Sequence, residues 1–140
     1  MIDDLFVGAL LIGWTATVHG AFMVAVLAFF RRHPFRPKRS LGRAAMITGI
    51  VLWFFLAIVA EAWCWAAVYI LLGVFQTMEE ALYFSTVSFT TLGFGDIILD
   101  EQWRLLGAFQ AAAGMMIFGW TTAMVFDAVQ RVYGDQIPKP

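Results

Sequence analysis

Three long apolar stretches constrain this chain more than any other feature. Residues 5–30 are uncharged, residues 44–75 are interrupted only by Glu61, and residues 103–132 carry Arg104, Asp127 and Arg131 near their ends. Each exceeds the ~20 residues that a helix needs to cross ~30 Å of hydrocarbon. In lipid the backbone amides must bond within their own segment, so such a chain crosses as helices. Composition agrees, since only 14% of the residues are charged where a soluble domain carries about 25%. A fourth apolar segment, residues 78–90, is too short to cross and runs into a glycine-containing stretch, which marks it as a re-entrant helix. The expected fold is an all-α membrane protein of three transmembrane helices plus one re-entrant helix and its loop.

Charge placement gives the orientation. Six of the nine basic residues (Arg31, Arg32, Arg36, Lys38, Arg39 and Arg43) crowd into the link at residues 31–43, and basic links stay on the cytoplasmic side. The N-terminus is then outside, the segment at 78–100 dips in from the outer face, and residues 133–140 form a short cytoplasmic tail with Lys139. Most acids, including Glu79, Glu80, Asp96 and Asp100, fall outside; Arg104 alone breaks the pattern. Residues 1–30 are expected to be a retained span rather than a secretory signal, because Asp3 and Asp4 stand where a signal needs basic residues. Pro34 and Pro37 break up the basic cluster and argue against a voltage sensor, in which arginines recur along an apolar helix. Setting the topology is its expected role, with contacts to anionic headgroups an added one.

The run Thr90-Thr91-Leu92-Gly93-Phe94-Gly95-Asp96 follows the re-entrant segment. Two glycines flanking one aromatic free the backbone to turn successive carbonyl oxygens into a narrow path, where they can replace an ion's hydration shell. This stretch resembles the selectivity filter of the potassium channel family, Thr-Val-Gly-Tyr-Gly-Asp, with Leu92 for valine and Phe94 for tyrosine. The resemblance covers about residues 44–132. It implies an outer helix at 44–75, a pore helix at 78–90, a filter at 91–96 and an inner helix at 103–132, with residues 1–30 outside it, peripheral and packed toward lipid.

By that resemblance, Thr91, Leu92, Gly93, Phe94 and Gly95 would ring a dehydrated potassium ion with backbone oxygens. Asp96 would brace the filter from behind, and Phe94 would pack outward on the pore helix. Where relatives place paired tryptophans in the pore helix, this chain has Tyr83 and Phe84. Val87 stands where some carry a glutamate bonded to the filter aspartate, which leaves Tyr83 as the expected partner of Asp96. The filter should therefore be less rigidly braced. Thr77-Met78-Glu79-Glu80 has the form of a capping box that starts the pore helix, and the negative end of its dipole would favour a cation. One chain supplies one pore loop, so a homotetramer follows from the geometry.

Other residues leave alternatives. Gly114 is either a gating hinge, by resemblance, or one of the small residues that let helices pack closely. Asp127 either pairs with Arg131 one turn on or contributes to an acidic ring at the inner mouth. Met124 or Phe126 can form an apolar constriction. Trp63, Trp65 and Tyr69 read as an interfacial aromatic belt, which places Glu61 near the outer headgroups, bonded to backbone or to a pore-helix hydroxyl. His19 is expected to pack against Thr15. Cys64 reads as a small buried hydrophobe.

The expected activity is passive potassium conduction in a prokaryotic plasma membrane. The expected partners are three further copies, membrane lipid and potassium ions. No organic cofactor, nucleic acid or enzymatic reaction is expected, since no nucleophile–base pair or metal cluster stands out. The rivals are a weakly selective monovalent cation channel and a non-conducting membrane scaffold. With about eight residues after Val132, gating is expected to reside in the filter, the inner helices, or lipids and tension.

Overall fold

The computed structural model describes residues 2–32 and 39–134, and Arg36, Lys38, Lys139 and the tail from residue 135 lie outside the described residues. Four helices follow in order: α1 (Ile2–Arg32), α2 (Ser40–Leu71), α3 (Met78–Phe89) and α4 (Arg104–Tyr133). Three of them, taken as Phe6–Arg32, Ser40–Leu71 and Arg104–Tyr133, are long and apolar enough to cross a membrane. At 1.5 Å per residue each is roughly 40–48 Å long, more than a bilayer core requires. The chain is thus a multi-pass membrane protein with a short fourth helix, as its sequence pattern implies.

Local chemistry sets the helix ends. α2 begins four residues earlier than expected and stops at Leu71, although the apolar run continues to Phe75. Gly73 takes a left-handed φ of 71°. This lets the Gly73 and Val74 amides return to the carbonyls of Ile70 and Tyr69 at 3.0 and 2.9 Å. That double bond pattern is a helix stop, and it overrides hydrophobic continuity. At α3 the Thr77 hydroxyl accepts from the Glu80 amide at 3.3 Å, so the threonine half of the capping box is present. The return bond from the Glu80 side chain is absent among the described residues.

α3 lies between α2 and α4 in one half of the molecule. There Trp65, Tyr69, Ala81, Phe84, Phe89, Leu106 and Ile117 form the larger core. The other half holds only the three long helices, packed through Val26, Ile50, Phe54 and Ala128. Lipid tails are as apolar as leucine, so burial alone drives little association here. Close packing and polar ties between spans hold such a bundle, each tie contributing about 0.6–2 kcal/mol.

Those ties correct four expectations. The first span is not a lipid-side appendage: it packs on both α2 and α4, with Leu11, Thr15, His19 and Val26 buried. Trp65 and Tyr69 are core residues, 1% and 0% exposed, and of the expected belt only Trp63 faces outward. Trp65 Nε1 donates to Thr15 Oγ1 at 3.0 Å, so Thr15 serves the tryptophan rather than His19. Glu61 does not reach headgroups. It is buried, with Oε1 3.1 Å from His19 Nδ1, because α1 supplies the polar partner that neighbouring backbone or α3 was expected to provide.

Candidate functional site

The loop after α3 has an unusual backbone. Thr91, Gly93 and Gly95 have φ of 58°, 56° and 78°, whereas Leu92 and Phe94 between them do not share this sign. Dihedrals of alternating hand cancel the flip that an extended chain imposes on every second peptide, so successive carbonyls face one side and amides the other. Glycine reaches the left-handed region freely. Thr91 is β-branched, and for an ordinary L-residue this conformation costs roughly 1–2 kcal/mol.

Hydrogen bonds to α3 hold it there. The amides of Thr91 and Leu92 donate to the carbonyls of Ser88 and Val87 at 3.0 Å, and that of Gly93 donates to Val87 at 3.4 Å. The Thr90 hydroxyl turns back to the Thr86 carbonyl at 2.8 Å. The last carbonyls of α3 therefore satisfy the loop's own donors. No hydrogen bond within the subunit ends on the carbonyl oxygens of residues 91–95 among the described residues. A strip of unpaired acceptors of this kind is what a desolvated cation needs.

Asp96 closes the loop. Its Oδ2 accepts from the Tyr83 hydroxyl at 2.5 Å and its Oδ1 from the Ile97 amide at 3.1 Å. The expected Tyr83–Asp96 contact is present. The hydroxyl bond holds the Asp96 carboxyl below its ordinary value of 3.8, and the same bond raises Tyr83 above its usual 10.0. Phe94 departs from expectation: its ring is 65% exposed, so its own pore helix does not cover it.

Gly114 sits where α4 crosses the end of α3. A β-carbon there would lie 1.9 Å from the Phe89 carbonyl oxygen, an overlap no side chain survives. The glycine is thus required for close packing, and α4 runs through it without a break. Asp127 and Arg131 form the expected pair at 2.6 Å. Phe126 is 63% exposed, while Met124 packs inward on the smaller core.

A buried relay that pattern reading missed ties the re-entrant helix to both neighbours. Gln110 Nε2 donates to Ser85 Oγ at 2.6 Å, Ser85 Oγ donates to the Ala62 carbonyl at 2.7 Å, and the Tyr69 hydroxyl donates to Gln110 Oε1 at 2.9 Å. Every donor has an acceptor, so the relay fixes α3 between α2 and α4. The available signal was Gln110 itself, the one amide of α4 that is not in its last turn.

A sequence model of the family described as "Ion channel" matches residues 53–131 of the 140. The chain belongs to the ion channel family. No curated protein and no solved structure matches it. The matched segment of the channel holds most of α2, all of α3 and the carbonyl strip, and nearly all of α4. The first span lies outside it, although that span contributes His19 to the channel's interior.

Proposed function

We propose that four copies of this chain surround an axis on which the carbonyl oxygens of Thr91, Leu92, Gly93, Phe94 and Gly95 bind dehydrated potassium. The chain then conducts the ion passively. The observation that carries this reading is the alternation of backbone hand over residues 91–95, with the amides of Thr91, Leu92 and Gly93 bonded to α3 and the carbonyls of 91–95 accepting no hydrogen bond among the described residues. Carbonyl dipoles stabilise a cation strongly enough to admit it and weakly enough to release it, which a fixed carboxylate would not.

Below the filter, the conduction path runs along the face of α4 that its own subunit leaves uncovered. Ala108, Ala112, Met115, Gly119, Thr122 and Phe126 recur at helical spacing on that face and are all exposed. Phe126 is the residue placed to constrict it. The outer mouth lies on the extracellular side, opposite the basic link.

A second reading, a channel that barely separates sodium from potassium, draws on the bracing. Phe94 has no hydroxyl, and among the described residues Tyr83 is the only side chain that bonds Asp96. Reversal potentials in mixed sodium and potassium solutions separate the two readings. For the main one, the test is potassium flux in proteoliposomes. We expect flux that barium blocks and that Gly93→Ala abolishes, because alanine at φ 56° is strained. A wild-type protein that passes no potassium under any gradient would leave a scaffold as the better account.

A further inference from the structure

We propose that His19 is a positioning residue for the inner helix α4, which makes the first span part of the channel's gating apparatus. The inference rests on the reading above, in which α4 lines the conduction path.

The geometry is a single imidazole joining all three spans. His19 is fully buried; its Nδ1 lies 3.1 Å from Glu61 Oε1 on α2, and its Nε2 lies 3.1 Å from Thr121 Oγ1 on α4. Phe54 stacks on the ring at 5.5 Å between centroids, and Trp120 tilts against it at 5.6 Å. Aromatic faces from α2 and α4 therefore fix the plane of the ring, and both nitrogens are committed.

Glu61 depends on this ring. Its second oxygen, Oε2, is buried with no hydrogen-bond partner. Among the described residues, His19 is therefore the one side chain that bonds the carboxyl. No other charged residue lies between residue 6 and Arg31 on α1, between Arg43 and the end of α2, or between Arg104 and Asp127 on α4. The other titratable side chains within those spans are Cys64 and Tyr69, and Tyr69 is bonded to Gln110. An isolated carboxylate inside a bilayer is costly, so Glu61 stays against its His19 partner. The histidine is anchored on α2, and Thr121 is the link that ties this anchor to α4.

The position of the link gives it leverage. Thr121 faces the bundle, while its neighbours Thr122 and Phe126 lie on the uncovered face. Any rotation or tilt of α4 that moves Phe126 must either carry the Thr121–His19 bond with it or break it. Gly119, two residues earlier, has no atom within 4 Å of where a β-carbon would stand, so α4 is unsupported on that one face. One hydrogen bond then biases where the inner half of α4 rests.

Thr121→Val keeps the shape and removes the hydroxyl; Thr121→Ser keeps the hydroxyl. Loss of the bond should shift the closed–open equilibrium about tenfold, equivalent to 1.4 kcal/mol. Single-channel open probability reads this shift, and ion selectivity should not change. Thr121→Ser should behave as wild type in open probability and in unfolding temperature, whereas Thr121→Val leaves the buried His19 Nε2 without its partner and should unfold at a somewhat lower temperature. Amide exchange along residues 117–126 in nanodiscs should quicken in Thr121→Val alone, a reading that needs no conduction. Equal open probability and equal exchange in all three proteins would overturn the proposal, as would a shift in Thr121→Ser as large as in Thr121→Val. A wild type that does not conduct, with the exchange difference intact, would instead count against the proposed function.

Discussion

The channel contains two polar constructions of opposite design. In the loop at residues 91–95 the first three amides are spent on α3 while the main-chain acceptors are left open among the described residues, at a surface that the chain leaves exposed. At His19 and Glu61, which are buried, and Thr121, which is half-buried, the polar groups are turned on each other and tie helices together. Under the proposed function the first construction receives an ion from outside the chain; the second is turned inward. Both rely on α-helices as rigid supports, and the loop accepts backbone strain where the buried cluster accepts an unpaired oxygen. The difference shows why polar groups inside a membrane need not share one role, and it predicts which substitutions act on conduction and which on assembly.

The largest effect should come from forcing the support of the loop apart. Gly114→Ala places a methyl group onto the Phe89 carbonyl and must push α3 off α4, at a cost of about 1–3 kcal/mol or more. The expected outcome is a lowered unfolding temperature together with lost flux. A stable, conducting Gly114→Ala protein would break the claim that this crossing holds the loop. Next, Gln110→Leu leaves the Tyr69 hydroxyl without its acceptor and withdraws one donor from Ser85. Roughly 1–3 kcal/mol of stability should be lost, read as a drop in unfolding temperature with selectivity intact.

How much of this was legible beforehand differs between the two constructions. The loop is local: glycine spacing, the preceding short helix and the Tyr83–Asp96 contact all lie within residues 77–97, so sequence proximity revealed them. The buried cluster is not local. His19 meets Glu61 across 42 residues and Thr121 across 102, and no pattern in α1 announces which face it presents. Trp65 and Tyr69 were misread for the same reason: aromatics near a helix end suit a headgroup belt equally well until a partner helix covers them. The early stop of α2 was written in Gly73, but apolar continuity to Phe75 masked it.

Smaller effects sharpen the contrast. Tyr83→Phe removes the hydroxyl from Asp96 and should alter open probability or inactivation several-fold while leaving stability unchanged. Unchanged single-channel behaviour would mean that the contact does not brace the filter. Because that bond lowers Asp96, bracing is fully present above the ordinary carboxylate value and is lost as pH falls through the lowered one. Outer-side acidification from neutral to about pH 5 should therefore leave inactivation unaltered, with a change only in stronger acid. A change centred near neutrality in wild type, absent in Tyr83→Phe, would contradict this assignment. The smallest effect belongs to Asp127→Asn. It breaks a part-exposed pair one turn apart, for which about 0.5 kcal/mol or less is at stake. Conductance should barely move; a clear fall in outward conductance would favour an acidic ring at the inner mouth.

The central claim is that main-chain oxygens of residues 91–95 face a shared axis and hold potassium. A density map of the assembled protein in potassium solution, with a second map in sodium, tests this most directly. The account predicts fourfold symmetry, with ion density between successive carbonyl rings in potassium and altered density in sodium. A map that puts Gly93 and Gly95 away from any symmetry axis, or shows their carbonyls turned toward protein or lipid, would contradict it.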